Sequence, residues 1–312
     1  MARHGCLAVA ICLCPALGGC GDSTKEPAER TPAPAPDVTL TAEDRAVWAP
    51  APADRSQVPV LLYHGVAPVS GFANEADAEY GVDPEDFAKQ MTLLDHAGYR
   101  TIGLDQLVRF VAGEPVDLPP RPLLLTFDDA RADSWTGSDG ILEELGFNAV
   151  MFVDVGRVED GDPEYLTWAE LETVARSGRW DLQLHSGRGH RQIEYEQDGF
   201  GPFYAYRESG ESIQGWRDRV FSDLTWGRER LAAEVPGYRP LGFAPPYGNY
   251  GQDGTNDERI PVELLTWLRD RYHVIFTQDR SFFAGPGAEQ PLGRLQVTRG
   301  LSGGDLHSML SG

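Results

Sequence analysis

The chain has 312 residues, with 27 Lys and Arg against 48 Asp and Glu, and a formal charge of −21. That balance argues against a nucleic-acid partner, because phosphate binding needs basic patches; it serves solubility, or else favours a polymer that becomes cationic. All four cysteines, at positions 6, 12, 14 and 20, lie at the N-terminal end, so the rest of the chain has neither a disulfide nor a thiol ligand.

Arg3, the apolar run Leu7 to Leu17 and the small residues before Cys20 have the anatomy of a secretion signal. Leu17-Gly18-Gly19-Cys20 resembles the bacterial lipoprotein lipobox. Residues 1–19 are therefore expected to be a signal peptide and Cys20 a lipidated N-terminus, holding the protein outside the cytoplasm on the cell membrane; a plain secretory signal is the other reading. Residues 20–52, rich in Pro, Ala and charge, predict a flexible tether. Residues 53–312 predict one domain, since no second linker or internal repeat follows.

Within that domain short apolar runs alternate with helical patterns. The runs are Val58 to Tyr63, Leu123 to Phe127, Ala149 to Val153, Leu182 to Leu184, Leu241 to Phe243 and Val274 to Phe276, and they read as buried parallel strands. Asp83 before Pro84 starts one helix, and the capping box Thr167-Trp168-Ala169-Glu170 starts another. Further helices are expected around Ile141 to Leu145, Trp216 to Ala232 and Val262 to Arg271. Repeated βα units predict an α/β fold with a parallel sheet, closed into a barrel or doubly wound.

His64, the pair Asp128-Asp129 and His185 each follow directly on, or end, an apolar strand, which is the functional edge of a βα barrel. Adjacent strand side chains face opposite ways, so one aspartate can bind a metal while the other accepts a proton; an Asp helix cap is the plainer alternative. His185 and His190 would diverge by about 140° on a helix, so they can converge only on a loop, for which Gly187 and Gly189 are suited. Two imidazoles and a carboxylate suit a water-activating ion, Zn²⁺ being the first choice. In Pro245-Pro246-Tyr247 neither proline has an N–H, so Tyr247 is the first free backbone donor for an oxyanion.

Taken in order, Thr126-Phe127-Asp128-Asp129, His185-Ser186 with His190, and Pro245-Pro246-Tyr247-Gly248 resemble the polysaccharide deacetylases of carbohydrate esterase family 4. The resemblance implies a distorted (β/α)₇ barrel, with Asp128 as base, Asp129, His185 and His190 as metal ligands, and Tyr247 in the oxyanion hole. Departures are Ala130 for a usual glycine and Ala244 for a base-orienting arginine, for which Arg294 is a substitute. They fit a resemblance to the poly-N-acetylglucosamine deacetylase branch, whose opening strand ends like Tyr63-His64-Gly65; His64 then becomes the general acid, with Asp279 tuning it. The implied activity is metal-dependent hydrolytic deacetylation of an N-acetylhexosamine polysaccharide; the alternative is an inactive glycan-binding lipoprotein of the same fold. Pro246 and Tyr204, the latter in an aromatic segment with Tyr195, Phe200, Phe203 and Tyr206, are expected to contact sugar. No protein partner is implied.

Overall fold

Six apolar runs become parallel strands: β1 (Val58–Tyr63), β2 (Pro122–Phe127), β3 (Ala149–Asp154), β4 (Trp180–Ser186), β5 (Gly242–Phe243) and β6 (Val274–Thr277), paired in that order. The computed structural model describes residues 29–311. Two short strands with no counterpart among the expected runs complete the ring. β7 (Leu292–Gly293) pairs in parallel with β6, and β8 (Leu295–Gln296) pairs in parallel with β1, at Leu295 opposite Leu61. Residues 292–296 are thus one closing staple, and the architecture is the distorted (β/α)₇ barrel. Its distortions are the two-residue β5, a short strand Arg100–Thr101 beside the start of β2, and Phe283–Ala284 running antiparallel to β1.

Alternation along the strands divides the core in two. Val60, Leu124, Val150, Phe152 and Phe276 belong to an inner cluster, while their neighbours Leu61, Leu125, Met151, Val153 and Ile275 pack with helix residues such as Phe87, Leu142 and Trp216. The inward parity of residues 60 and 62, 124 and 126, and 183 carries on to His64, Asp128 and His185, so period two alone aims these three at the barrel mouth. Helices begin where their caps require: Asp83 accepts from the Glu85 N–H, and Thr167 and Glu170 form a reciprocal capping box.

The expected tether is corrected from residue 29 onward. Residues 29–41 lie along the barrel's flank, with the Ala33 N–H bonded to the Thr136 carbonyl and Arg30 paired with the buried Glu170. A capped helix, Ala42–Val47, follows, and Trp48 is buried with its ring edge against His307 of the helix Gly303–Leu310. Pro and Ala here supply an extended, side-chain-poor strip that fits a flat groove: Gly140 lies so close that a Cβ there would strike the Ala33 carbonyl and the Ala35 amide. The signal segment and Cys20 lie outside the described residues.

Barrel closure sets a stability prediction. A Cβ on Gly293 would press into the backbone carbonyls of Arg280 and Ser281. G293A should cost about 1–3 kcal/mol through this overpacking, read as a lower urea midpoint; an unchanged midpoint would show that the staple is not tightly held.

Candidate active site

At the mouth, three elements bring Asp129, His185 and His190 together. The Asp129 Oδ1 atom lies 3.4 Å from His185 Nε2 and 3.7 Å from His190 Nε2, and one ligand atom from each residue falls within a 4.8 Å cluster. Asp129 leaves β2 with φ 79° and Ala130 follows at φ 61°, both left-handed, which swings the carboxylate back over the opening. Non-glycine residues take that conformation at a cost of about 1–2 kcal/mol, and clusters of such residues mark functional sites. Ala130 thus adopts a conformation that glycine takes at less cost. Buried and without a hydrogen-bond partner, Asp129 Oδ1 is a charged acceptor awaiting a cation. Burial pushes the Asp129 carboxyl up, but His190, His185 and His64 outweigh it and hold it well below the ordinary range.

The Nδ1–H of His185 donates to the Ala244 carbonyl at 2.7 Å, which turns Nε2 toward Asp129; burial pushes this imidazole down, but Asp128 and Asp129 outweigh it and raise it above the ordinary value. Burial drops His190 to about 4, and its Nδ1 faces Asp154 at 3.6 Å. Asp154, whose Oδ1 accepts from Ser186, is pushed up to about 7, chiefly by burial and further by Asp129. The 185–190 turn is held from below by Asp223, which accepts from the Arg188 N–H at 2.6 Å, the Gly187 N–H at 3.2 Å and the Tyr204 hydroxyl at 2.6 Å. The three-residue site fits a divalent ion by donor chemistry, since it offers two imidazole nitrogens and one unpartnered carboxylate oxygen.

Asp128 keeps the inward parity of β2, and there Arg294 grips it. Two parallel bonds of 2.7 Å join Nη1 to Oδ1 and Nη2 to Oδ2; both side chains are fully enclosed. The guanidinium sits 5.3 Å from the Phe152 ring centre and 5.7 Å from that of Phe276. Burial raises the Asp128 carboxyl, but Arg294 and His185 overcome it and keep the group below the ordinary range, hence ionised at neutral pH. The arginine absent at Ala244 is replaced from the closing staple.

His64 and Tyr247 line the same cleft, of about 460 Å³, as Asp129 and His190. The Tyr247 ring stacks on His190 at 5.0 Å with its backbone left-handed at φ 61°, and Tyr80 lies 5.6 Å from the His64 ring. Three expectations are corrected. Tyr204 is 1% exposed and spent on Asp223, so it cannot stack on a sugar; Pro246 is buried beneath Tyr247, which is 45% exposed. Asp279 accepts from the Thr277 hydroxyl, while the largest influences on His64 are burial and then Asp129, Asp128, Arg294 and His185. Asp154 was detectable in the sequence by the same sign as its neighbours, a carboxylate ending an apolar strand; Asp223, mid-helix, carried none.

Residues 116–259 match the family model described as polysaccharide deacetylase. The chain is 29% identical over 181 residues to the poly-beta-1,6-N-acetyl-D-glucosamine N-deacetylase of Escherichia coli (strain K12), covering 51% of this chain and 26% of that protein. The match therefore spans about a quarter of that relative. Among solved structures, the de-N-acetylase from Aggregatibacter actinomycetemcomitans superposes with a TM-score of 0.69 at 16% identity, over 81% of this chain and 99% of the other. IcaB from Ammonifex degensii gives 0.63 at 21% identity, over 84% and 99%. The BpsB deacetylase domain from Bordetella bronchiseptica gives 0.63 at 21%, over 80% and 98%. These likenesses confirm the fold.

The Asp128–Arg294 clamp carries its own prediction. R294M strands a buried carboxylate and should destabilise the protein by about 3–5 kcal/mol. Adding D128N should return part of that loss, measured by urea unfolding as a double-mutant cycle; strictly additive losses would show the two groups uncoupled.

Proposed function

From residues 116–259, which match the polysaccharide deacetylase family model, we propose a metal-dependent hydrolase that removes N-acetyl groups from a hexosamine polysaccharide of the poly-N-acetylglucosamine kind. The observation that carries this reading is a pair of adjacent carboxylates with opposite fates: Asp129 orphaned beside two imidazoles, and Asp128 held ionised by Arg294. Asp129, His185 and His190 would hold the ion, with Zn²⁺ as our proposal. When bound there, such an ion supplies Lewis acidity to a carbonyl and acidity to a water.

The remaining work belongs to the chain. Asp128 accepts the proton of the attacking water, and Arg294 fixes the direction of the carboxylate so that it does so without reorganisation. The Tyr247 N–H donates to the oxygen that becomes negative as the acetyl carbon turns tetrahedral. His64 gives a proton to the amine nitrogen as the C–N bond breaks, leaving acetate and a free amino sugar. A glycosidase would need carboxylates facing one another roughly 5–9.5 Å apart across a bond, whereas Asp128 and Asp129 are neighbours aimed in different directions. The bidentate Arg294–Asp128 contact supports an active base over an inactive binding module. Anchoring to the membrane through Cys20 is part of the proposal, supported by the Leu17-Gly18-Gly19-Cys20 sequence.

Two measurements test the reading. Acetate release from N-acetylglucosamine oligomers should stop with chelator and return with added Zn²⁺ or Co²⁺, and D128N should lower kcat by about 10²–10⁴-fold; release that survives both would overturn the proposal. The second uses pH. His64 acts as a proton donor, so turnover should fall as pH rises through its pKa, which burial lowers from the ordinary imidazole value while Asp129 and Asp128 pull it back up. H64N should therefore be slow and lack that alkaline limb; a variant retaining the wild-type limb would assign the proton to another group.

A further inference from the structure

The segment upstream of the barrel reaches the metal turn through a short, continuous set of bonds. Arg30 spans the distance: Nη2 donates to the Pro163 carbonyl at 2.7 Å, and Nη1 to the Tyr165 carbonyl at 3.1 Å and to Glu170 Oε2 at 2.8 Å. The Arg30 main-chain N–H adds a bond of 3.0 Å to Glu170 Oε1. Glu170 is itself 2% exposed and receives the Thr167 N–H, so it is fixed at the far end of the same loop. That loop, residues 162–166, walls the cleft with Tyr165.

The other face of the loop pairs with the turn that bears the ligand. The Leu166 N–H donates to the Ala130 carbonyl at 3.0 Å, and the Ala132 N–H to the Glu164 carbonyl at 2.9 Å, flanking an antiparallel bridge between Arg131 and Tyr165. Asp129 and Ala130 are the left-handed residues of that turn. Such a conformation persists only where surrounding contacts over-determine it, and the 162–166 loop supplies two of those contacts. The loop is pinned on its outer side by a residue more than a hundred positions earlier in the chain.

We propose that Arg30 is a positioning residue, which acts through the 162–166 loop on the Asp129–Ala130 turn and so sets the affinity of the Asp129–His185–His190 site. The inference rests on the metal-site reading but not on the substrate or the reaction. A planar fork is required, because three acceptors lie around one guanidinium; an ammonium could keep the bond to Glu170 and would lose the fork to the two carbonyls.

The test titrates Co²⁺ into metal-free full-length protein by calorimetry, for wild type, R30A, R30K and K89A. Lys89 pairs with Asp44 at the surface and controls for loss of a cation. R30A should weaken Co²⁺ binding about tenfold, as loss of supporting contacts around ligands does, with a smaller loss in R30K and none in K89A. In acetate-release assays at limiting Co²⁺, kcat per protein should fall in R30A with KM unchanged, and saturating Co²⁺ should restore it. Wild-type Co²⁺ affinity in folded R30A or R30K overturns the assignment, as does an equal loss in K89A; if R30A does not fold, R30K decides by the same criterion. Absence of acetate release from every protein, wild type included, would fault the proposed reaction and leave the Co²⁺ comparison standing.

Discussion

The Asp128–Arg294 pair is the interaction on which the rest of the mouth depends. Two charges are taken fully out of water, a move that costs several kcal/mol per ion unless geometry and hydrogen bonding recover it. Here the recovery is a two-pronged fork beside the rings of Phe152 and Phe276. The pair also joins distant parts of the chain, because Asp128 follows β2 while Arg294 sits between the strands that meet β6 and β1. The segment that completes the ring of strands is therefore also the one that holds Asp128 ionised.

Around that pair the other groups are driven apart in their titration. Asp129 is held down by imidazoles, Asp154 is lifted to about 7 by burial, and His190 is lowered to about 4. Divergent environments for neighbouring acids and bases divide ligand, support and proton acceptor among residues of like chemistry. Most of the division follows from which way each side chain leaves its strand, and the left-handed turn at Asp129 and Ala130 accounts for the rest.

Much of this was legible in the sequence because strand ends announce themselves: an apolar run followed by a polar residue gave His64, Asp128 and His185, and period two gave their common aim. The staple at 292–296 escaped because Pro291 and Gly293 interrupt it and neither half reaches three residues. Arg294 was suggested only to fill a gap; its aim became visible with the closed ring. Composition misled at residues 29–48, where Pro and Ala match a flat groove as well as they match a flexible tether. Residue identity likewise cannot tell an exposed aromatic from a buried one, and the surface that contacts solvent at this cleft is Tyr247, with Tyr204 inside.

The placement of Arg294 has a consequence for how the molecule comes into being. During synthesis the ligands Asp129, His185 and His190 have all been made once the chain reaches residue 190, whereas the guanidinium that tames Asp128 arrives with the last strand. Until then the nascent barrel has an open seam between β6 and β1 and an uncompensated carboxylate beside it. The three residues proposed to hold the ion and the arginine that fixes Asp128 are thus supplied from opposite ends of the ring, the arginine last.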